Sequence, residues 1–118
     1  MYHKDLEVYK ESIAFVAQIY ELTKNFPKEE MYSLTSQIRR AAISIPSNIA
    51  EGCARISDKQ ILNFVNIAIG SLAELEAQLE IAQLLGYIKD VSTVNDNFTK
   101  LKSLLLGFKK YIQNKTDL

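Results

Sequence analysis

With 118 residues, 47% of them apolar and 24% charged, the chain has enough length for one well-filled core and too little for two. Lys+Arg 14 against Asp+Glu 14 leaves no net charge, so bulk electrostatics does not drive nonspecific nucleic-acid binding, and only a local basic patch stays open. A single cysteine, Cys53, excludes an internal disulfide framework. It fits a reducing cytoplasm.

Gly 4 and Pro 2 leave few places to turn, so long elements joined by short connections are expected. No run approaches the length of a membrane span, and Met1-Tyr2-His3-Lys4-Asp5 has no apolar signal core, so a soluble, cytoplasmic protein is predicted.

A first helix is predicted from about Lys4 to Asn25, because Leu6, Tyr9, Ile13, Val16, Tyr20 and Thr23 recur at helical spacing. Val8, Phe15, Ile19 and Leu22 widen its apolar face. Phe26-Pro27 stops it, since a residue before proline is pushed out of the helical region. Pro27 then suits the first turn of a second helix, to about Ala54, with Glu29 and Glu30 at the positive end of its dipole.

The second helix carries two stripes. Leu34, Ile38, Ala42, Ile45, Ile49 and Ile56 gather on one face. Gln37, Arg40, Ser44, Asn48, Glu51 and Arg55 gather on an adjoining one. The plain account of the polar stripe is a solvated face, with Glu51 and Arg55 as an exposed pair four residues apart. The sharper account joins Arg40 to Glu74 or Glu76 of the third helix, a bidentate contact that fixes register more than it stabilises.

Pro46 interrupts this helix. It removes the bond to the Ala42 carbonyl, a penalty of about 3 kcal/mol in a helix interior, and a kink is expected there. Asn48 can bond to backbone freed by it. Either the bend merely wraps the helix around the core, or it opens the Ala42 carbonyl region to a partner. Arg39, Ile43, Pro46 and Ala50 lie away from the apolar stripe, so this side is the expected protein contact and favours a homo-oligomer. Gly52 weakens the last turn.

Ser57-Asp58-Lys59-Gln60 has the form of a capping box opening a third helix, to about Leu85. Its seam is Ile61, Val65, Ala68, Leu72, Leu75, Leu79 and Ala82. Gly86 is its terminator. A fourth helix starts near Asp90 or Ser92 and carries Val91, Val94, Phe98, Leu101, Leu105, Phe108 and Ile112 to about residue 113. The tail from Asn114 to Leu118 is expected to fray. No segment alternates with period two. The predicted fold is therefore all-α: one domain, an antiparallel up-down-up-down four-helix bundle with helix two kinked at Pro46.

A bundle of this kind invites a di-metal carboxylate site, which needs Glu-x-x-His pairs. The only histidine, His3, is an exposed terminal residue by position, which excludes that site and any Ser/His/Asp or Cys/His set. Cys53 reads as a packing residue. Gly70-Ser71 and Gly107 lie inside helices, where close helix approach accounts for them better than phosphate binding. No catalysis and no cofactor are expected. Lys100, Lys102, Lys109 and Lys110 of the fourth helix are the candidate nucleic-acid contacts. They spread over the outer surface, but an oligomer would multiply them. Tyr2, Tyr32, Tyr87 and Tyr111 are candidates for base stacking or for plain bundle-end packing.

Three stretches resemble a known family: Gln37-Ile38-Arg39-Arg40-Ala41-Ala42, Ser44-Ile45-Pro46-Ser47-Asn48-Ile49-Ala50-Glu51-Gly52 and Gly70-Ser71-Leu72-Ala73-Glu74-Leu75-Glu76. They are similar to the four-helix 23S rRNA-intervening sequence proteins, and to the related accessory variability proteins of diversity-generating retroelements. The likeness runs from Leu6 to about Ile112. It implies a ring-like homopentamer, association with RNA or DNA, no enzymatic activity and, for the retroelement branch, a reverse-transcriptase partner. It also implies that Arg39, Arg40, Asn48, Glu51, Glu74 and Glu76 occupy signature positions, here taken as structural and assembly residues. The retroelement proteins are the more basic branch, whereas this chain is neutral. A scaffold that only self-assembles or binds protein is the other expectation.

Overall fold

The computed structural model describes residues 1–116. A 3-10 turn at His3–Asp5 leads into α1 (Glu7–Thr23), and a second at Lys28–Glu30 precedes α2 (Leu34–Cys53). Then follow α3 (Asp58–Leu84) and α4 (Ser92–Thr116), and no strand occurs among the described residues. The sequence thus folds as four helices around one apolar core.

Each helix packs against two others, α1 and α3 both against α2 and α4, which places the four at the corners of a bundle. The side chains that meet show the directions. Gln18 pairs with Asn97 and Glu11 with Lys100, so α1 and α4 run opposite ways. Thr23 meets Arg39 while Tyr9 and Ala50 share a groove, so α1 opposes α2. Ser44 meets Ser71 while Gly52 lies against Phe64, which opposes α2 to α3. Asp58 meets Lys115 while Glu80 and Val94 line one hollow, which opposes α3 to α4. The centre is branched and close-fitting, with Ile19, Ile38, Ile45, Ile49, Val65, Leu75, Leu101, Leu105 and Ile112 at or below 1% exposure.

Helix ends differ from the periodicity in instructive places. Pro27 does not open α2: residues 28–33 form a 3-10 turn and a further turn, and Ser33, at φ −128 and ψ −99, separates them from the helix. Glu30 consequently lies outside the first turn of α2. Its carboxylate accepts from the Ser33 hydroxyl at 2.6 Å and from the Tyr87 hydroxyl at 2.9 Å, tying the α1–α2 connection to the α3–α4 connection. Periodicity puts Ile56 on the core stripe, but α2 stops at Cys53 and Ile56 is 99% exposed in the connection.

Ser57 caps α3 by accepting from the Gln60 backbone N–H at 3.2 Å. The helix closes at Gly86, whose φ of +82 permits Tyr87 N–H to reach Ala82 O at 2.9 Å and Gly86 N–H to reach Gln83 O at 3.0 Å. Asp90 starts α4 by accepting from the Ser92 N–H and hydroxyl, and both bonds hold its carboxyl below the usual range. Asn114 and Lys115, expected to fray, are helical; residues 117 and 118 of that tail lie outside the described residues.

Candidate functional site

The two stripes of α2 do different things. On the α3 side, the polar stripe is a neutral network. The Ser44 and Ser71 hydroxyls lie 2.8 Å apart, and the Asn48 amide donates to Ser44 O at 2.7 Å and to Ser44 Oγ at 2.9 Å. Asn48 therefore serves the Ser44 carbonyl, not the Ala42 carbonyl that Pro46 leaves without its N–H. Helix α2 runs through Pro46, and Ala42 is fully buried, so its carbonyl is closed to any partner.

The expected register lock between Arg40 and Glu74 or Glu76 does not form. Among the described residues no ion pair joins them: all three side chains are exposed, and Glu74 instead accepts from Gln78 Nε2 at 3.2 Å. Water is available to both charges, and the spread of long side chains outweighs a weak screened attraction. Glu51 does pair with Arg55 at 3.0 Å, and the Arg55 guanidinium lies 4.9 Å above the Phe64 ring.

Close helix approach falls at a glycine that spacing does not single out for it. A Cβ on Gly52 would stand 2.9 Å from the Phe64 Cβ, so α2 and α3 touch there because the side chain is missing. Gly70 and Gly107, expected to serve that purpose, face open space: a Cβ on either would have nothing within 4 Å.

On the α1 side of α2 lies an apolar groove of about 510 Å³. Tyr9, Ile13, Val16, Ala17 and Tyr20 of α1 form one wall; Ile43, Pro46, Ser47 and Ala50 of α2 form the other. Pro46 is buried at its floor, while Ile13, Tyr20 and Ile43 remain 46%, 39% and 41% exposed. The site thus joins Ile43, Pro46 and Ala50, expected from α2 alone, to a row on α1. Ile13 and Tyr20 fall seven residues apart, a repeat that by itself is equally consistent with a core-facing stripe.

Arg39 closes one end of the groove. Its guanidinium lies 4.5 Å over the Tyr20 ring, and its Nε donates to Thr23 Oγ1 at 2.9 Å. Beyond it a second hollow of about 400 Å³ includes Met31, Tyr32, Ser36 and Arg40. Tyr20 and Ile43 belong to both hollows, so the surface is continuous.

The lysines of α4 divide. Lys100 pairs with Glu11 at 3.0 Å, and that carboxylate, first through its hydrogen bond and then through its charge, raises the ammonium pKa. Lys102, Lys109 and Lys110 have no ion-pair partner among the described residues. Lys102 borders a hollow with Glu76 on α3, so these cations do not share one unbroken basic strip.

His3 is half-buried, its ring 4.7 Å from Tyr9 and 5.5 Å from Tyr2, rather than exposed as its terminal position suggests. Cys53 is buried, and desolvation pushes its thiol pKa up, which suits packing and not nucleophilic attack. Among the described residues, no group of three or more His, Cys, Asp or Glu is placed to hold a metal ion, and no helix is long and apolar enough to cross a membrane.

The chain resembles a solved structure at 29% identity and a TM-score of 0.79, over 87% of this chain and 95% of that one. That structure is of a protein with unknown function from the S23 ribosomal protein family of Bacteroides thetaiotaomicron VPI-5482. No curated protein matches. Residues 4–107, nearly the whole bundle, match the 23S rRNA-intervening sequence protein family. The chain belongs to the family of 23S rRNA-intervening sequence proteins.

Proposed function

We propose that this protein is a non-enzymatic, self-assembling four-helix scaffold whose α1/α2 groove is its contact surface. One observation carries the reading: an apolar groove of about 510 Å³ walled by Ile13, Tyr20 and Ile43 on a chain that otherwise has a well-closed core. Apolar surface gathered in one concave place is a recognition feature, whereas scattered exposed isoleucines are ordinary. Ile43→Asp places a charge on that wall and should reduce the mass in light scattering to that of one chain, with helical circular dichroism unchanged. A mass unaffected by the substitution would sink the reading.

Association with RNA or DNA is the second reading, supported by Lys102, Lys109 and Lys110, which no carboxylate neutralises among the described residues. Assembly would repeat these separate cations, and phosphate binding grows with the number of cations engaged. Mobility shift of structured RNA and of duplex DNA across a salt series tests it. Binding should be strongest at low salt and weakened by charge reversal at Lys109 and Lys110; no shift at the lowest salt would exclude it.

A further inference from the structure

We propose that the seam between α3 and α4 binds a small aliphatic polyamine, whose ammonium groups pair with Glu76 and Glu80 while its methylenes cover an apolar floor between the helices. Leu79, Ile88, Val94 and Phe98 form that floor, in a hollow of about 220 Å³ beside the α3–α4 connection. Ile88, Val94 and Phe98 are buried and Leu79 is half-buried, whereas Glu76, Glu80, Gln83 and Asn95 stand exposed around the rim. Glu76 and Phe98 also border a smaller hollow of about 70 Å³, so the furrow continues along the seam towards Lys102 and Leu106. It lies across the bundle from the α1/α2 groove and makes no use of it.

Charge selects a cation. Glu76 and Glu80 are one helical turn apart on the same face of α3, which separates their Cβ atoms by about 5–6 Å. Neither has an ion-pair partner among the described residues, and Lys102 adjoins Glu76 without pairing with it. Helix α3 has no basic residue in its last turn, so the negative end of its dipole adds to the field at the Gln83 end of the furrow. A cation docked here supplies the charge that the chain leaves out.

The floor selects an organic cation over a metal ion. Calcium and magnesium need a full shell of oxygen ligands or retained water, and two rim carboxylates above aliphatic and aromatic side chains cannot supply one. A polyamine instead alternates fixed charges with apolar runs. A short methylene linker lets neighbouring ammonium groups reach both glutamates, and burying its methylenes on the floor adds affinity that a hydrated metal ion does not gain. The side-chain carbonyls of Gln83 and Asn95 are acceptors for the remaining ammonium hydrogens. The hollow is smaller than the roughly 300–1,000 Å³ of drug-sized sites, which suits a slender chain and excludes a bulky aromatic cation.

Isothermal titration calorimetry of the full chain with spermidine and with putrescine, at low ionic strength, tests the site. Saturable binding at one site per chain is expected, and magnesium at matched ionic strength should not displace it. Ethylenediamine, with the same two charges on a shorter linker, should bind more weakly than putrescine. Glu76→Gln and Glu80→Gln should each weaken spermidine binding about two- to five-fold, the range of an exposed ion pair, and the double variant should weaken it further. Glu74→Gln removes the same charge from α3 outside the furrow and should leave the affinity unchanged. Asn95→Trp fills the hollow from an exposed rim position and should abolish binding, with helical circular dichroism intact. Absence of saturable binding overturns the proposal, as does binding that survives Asn95→Trp. A loss at Glu74→Gln as large as at Glu80→Gln, or displacement by magnesium, reduces the effect to diffuse attraction and overturns it equally.

Discussion

The hydroxyls of Ser44 and Ser71 meet at 2.8 Å across the α2/α3 seam, with the Asn48 amide donating to Ser44 from the same side. This neutral cluster occupies the seam on which a guanidinium–carboxylate pair is the sequence-based expectation. A hydroxyl pair can be half-buried with little desolvation, whereas a salt bridge there would have to recover a much larger hydration loss. With Ser44 opposite Ser71 and Gly52 opposite Phe64, sliding α2 by one turn would break the cluster and drive the glycine out of its contact. Register is therefore specified twice, once by polar complementarity and once by volume.

The cluster should contribute modestly and non-additively. Ser44→Ala and Ser71→Ala are each expected to destabilise the bundle by about 1 kcal/mol, and the double variant by less than their sum. Arg40→Ala should stay within about 0.5 kcal/mol of the parent. Urea unfolding in the Ile43→Asp chain keeps self-association out of the comparison. An Arg40→Ala loss larger than that of Ser44→Ala would restore the ion-pair account.

Gly52→Ala should be the harsher change, although alanine is the better helix former. The new Cβ would stand 2.9 Å from the Phe64 Cβ, an atom fixed to the α3 backbone that cannot swing aside. Overpacking of this kind typically destabilises by about 1–3 kcal/mol. The added Phe64→Ala substitution removes the ring but not the Cβ, so it should not rescue, whereas Phe64→Gly should relieve the clash. Thermal denaturation of the three chains distinguishes a local collision from a general loss of packing.

Much of the core is legible in sequence because buried branched residues at period 3.6 have few alternative explanations. Ile38, Ile45 and Ile49 could face only a core, and they do. Connections are less legible: Pro27 is as compatible with a 3-10 turn as with a helix start, and the turn wins because Glu30 finds Ser33 and Tyr87 there. The bond to Tyr87 spans 57 positions, and no local pattern announces it. The groove is half visible. Ile43 and Pro46 stand on the wrong side of α2 for a core, but Ile13 and Tyr20 fit a wide core face on α1, and only the placement of the two helices side by side joins them to Ile43.

Acid should loosen the end of the bundle where those connections meet. The Ser33 hydroxyl first, and then the Tyr87 hydroxyl, hold the Glu30 carboxyl below its ordinary value. A depressed folded-state pKa gives stability that is present above the unfolded carboxylate value and is lost as pH falls through the folded one. The loss is expected below the usual glutamate range, about pH 4. Tyr87, raised chiefly by its hydrogen bond to Glu30, titrates in the opposite window. The folded state holds the phenol proton more tightly, so stability should also fall as pH rises past the unfolded tyrosine value, about 10. Tyr87→Phe should remove the alkaline limb and only partly flatten the acid one, because Ser33 still holds Glu30, when denaturation midpoints are followed against pH. A Tyr87→Phe chain with the parent profile would assign the pH dependence elsewhere.

Arg39 should act on the groove through Tyr20. Its guanidinium lies 4.5 Å over that ring and its Nε bonds Thr23 Oγ1, which itself donates to Ile19 O at 2.8 Å. Planar stacking and a bond from Nε are both beyond a lysine, so Arg39→Lys is expected to behave like Arg39→Ala and not like the parent. The coupling to Tyr20 should be about 0.5–1 kcal/mol in a double-mutant cycle, the range of an exposed cation–π contact. Thr23→Val should couple through the other bond, and because Thr23 keeps its Ile19 partner when Arg39 is removed, the loss on that branch is limited. With Tyr20 released, the wall opposite Ile43 should become mobile, and any assembly through the groove should weaken with it. Arg39→Lys that preserves both the coupling and the assembled mass would reduce the residue to a charge at the rim.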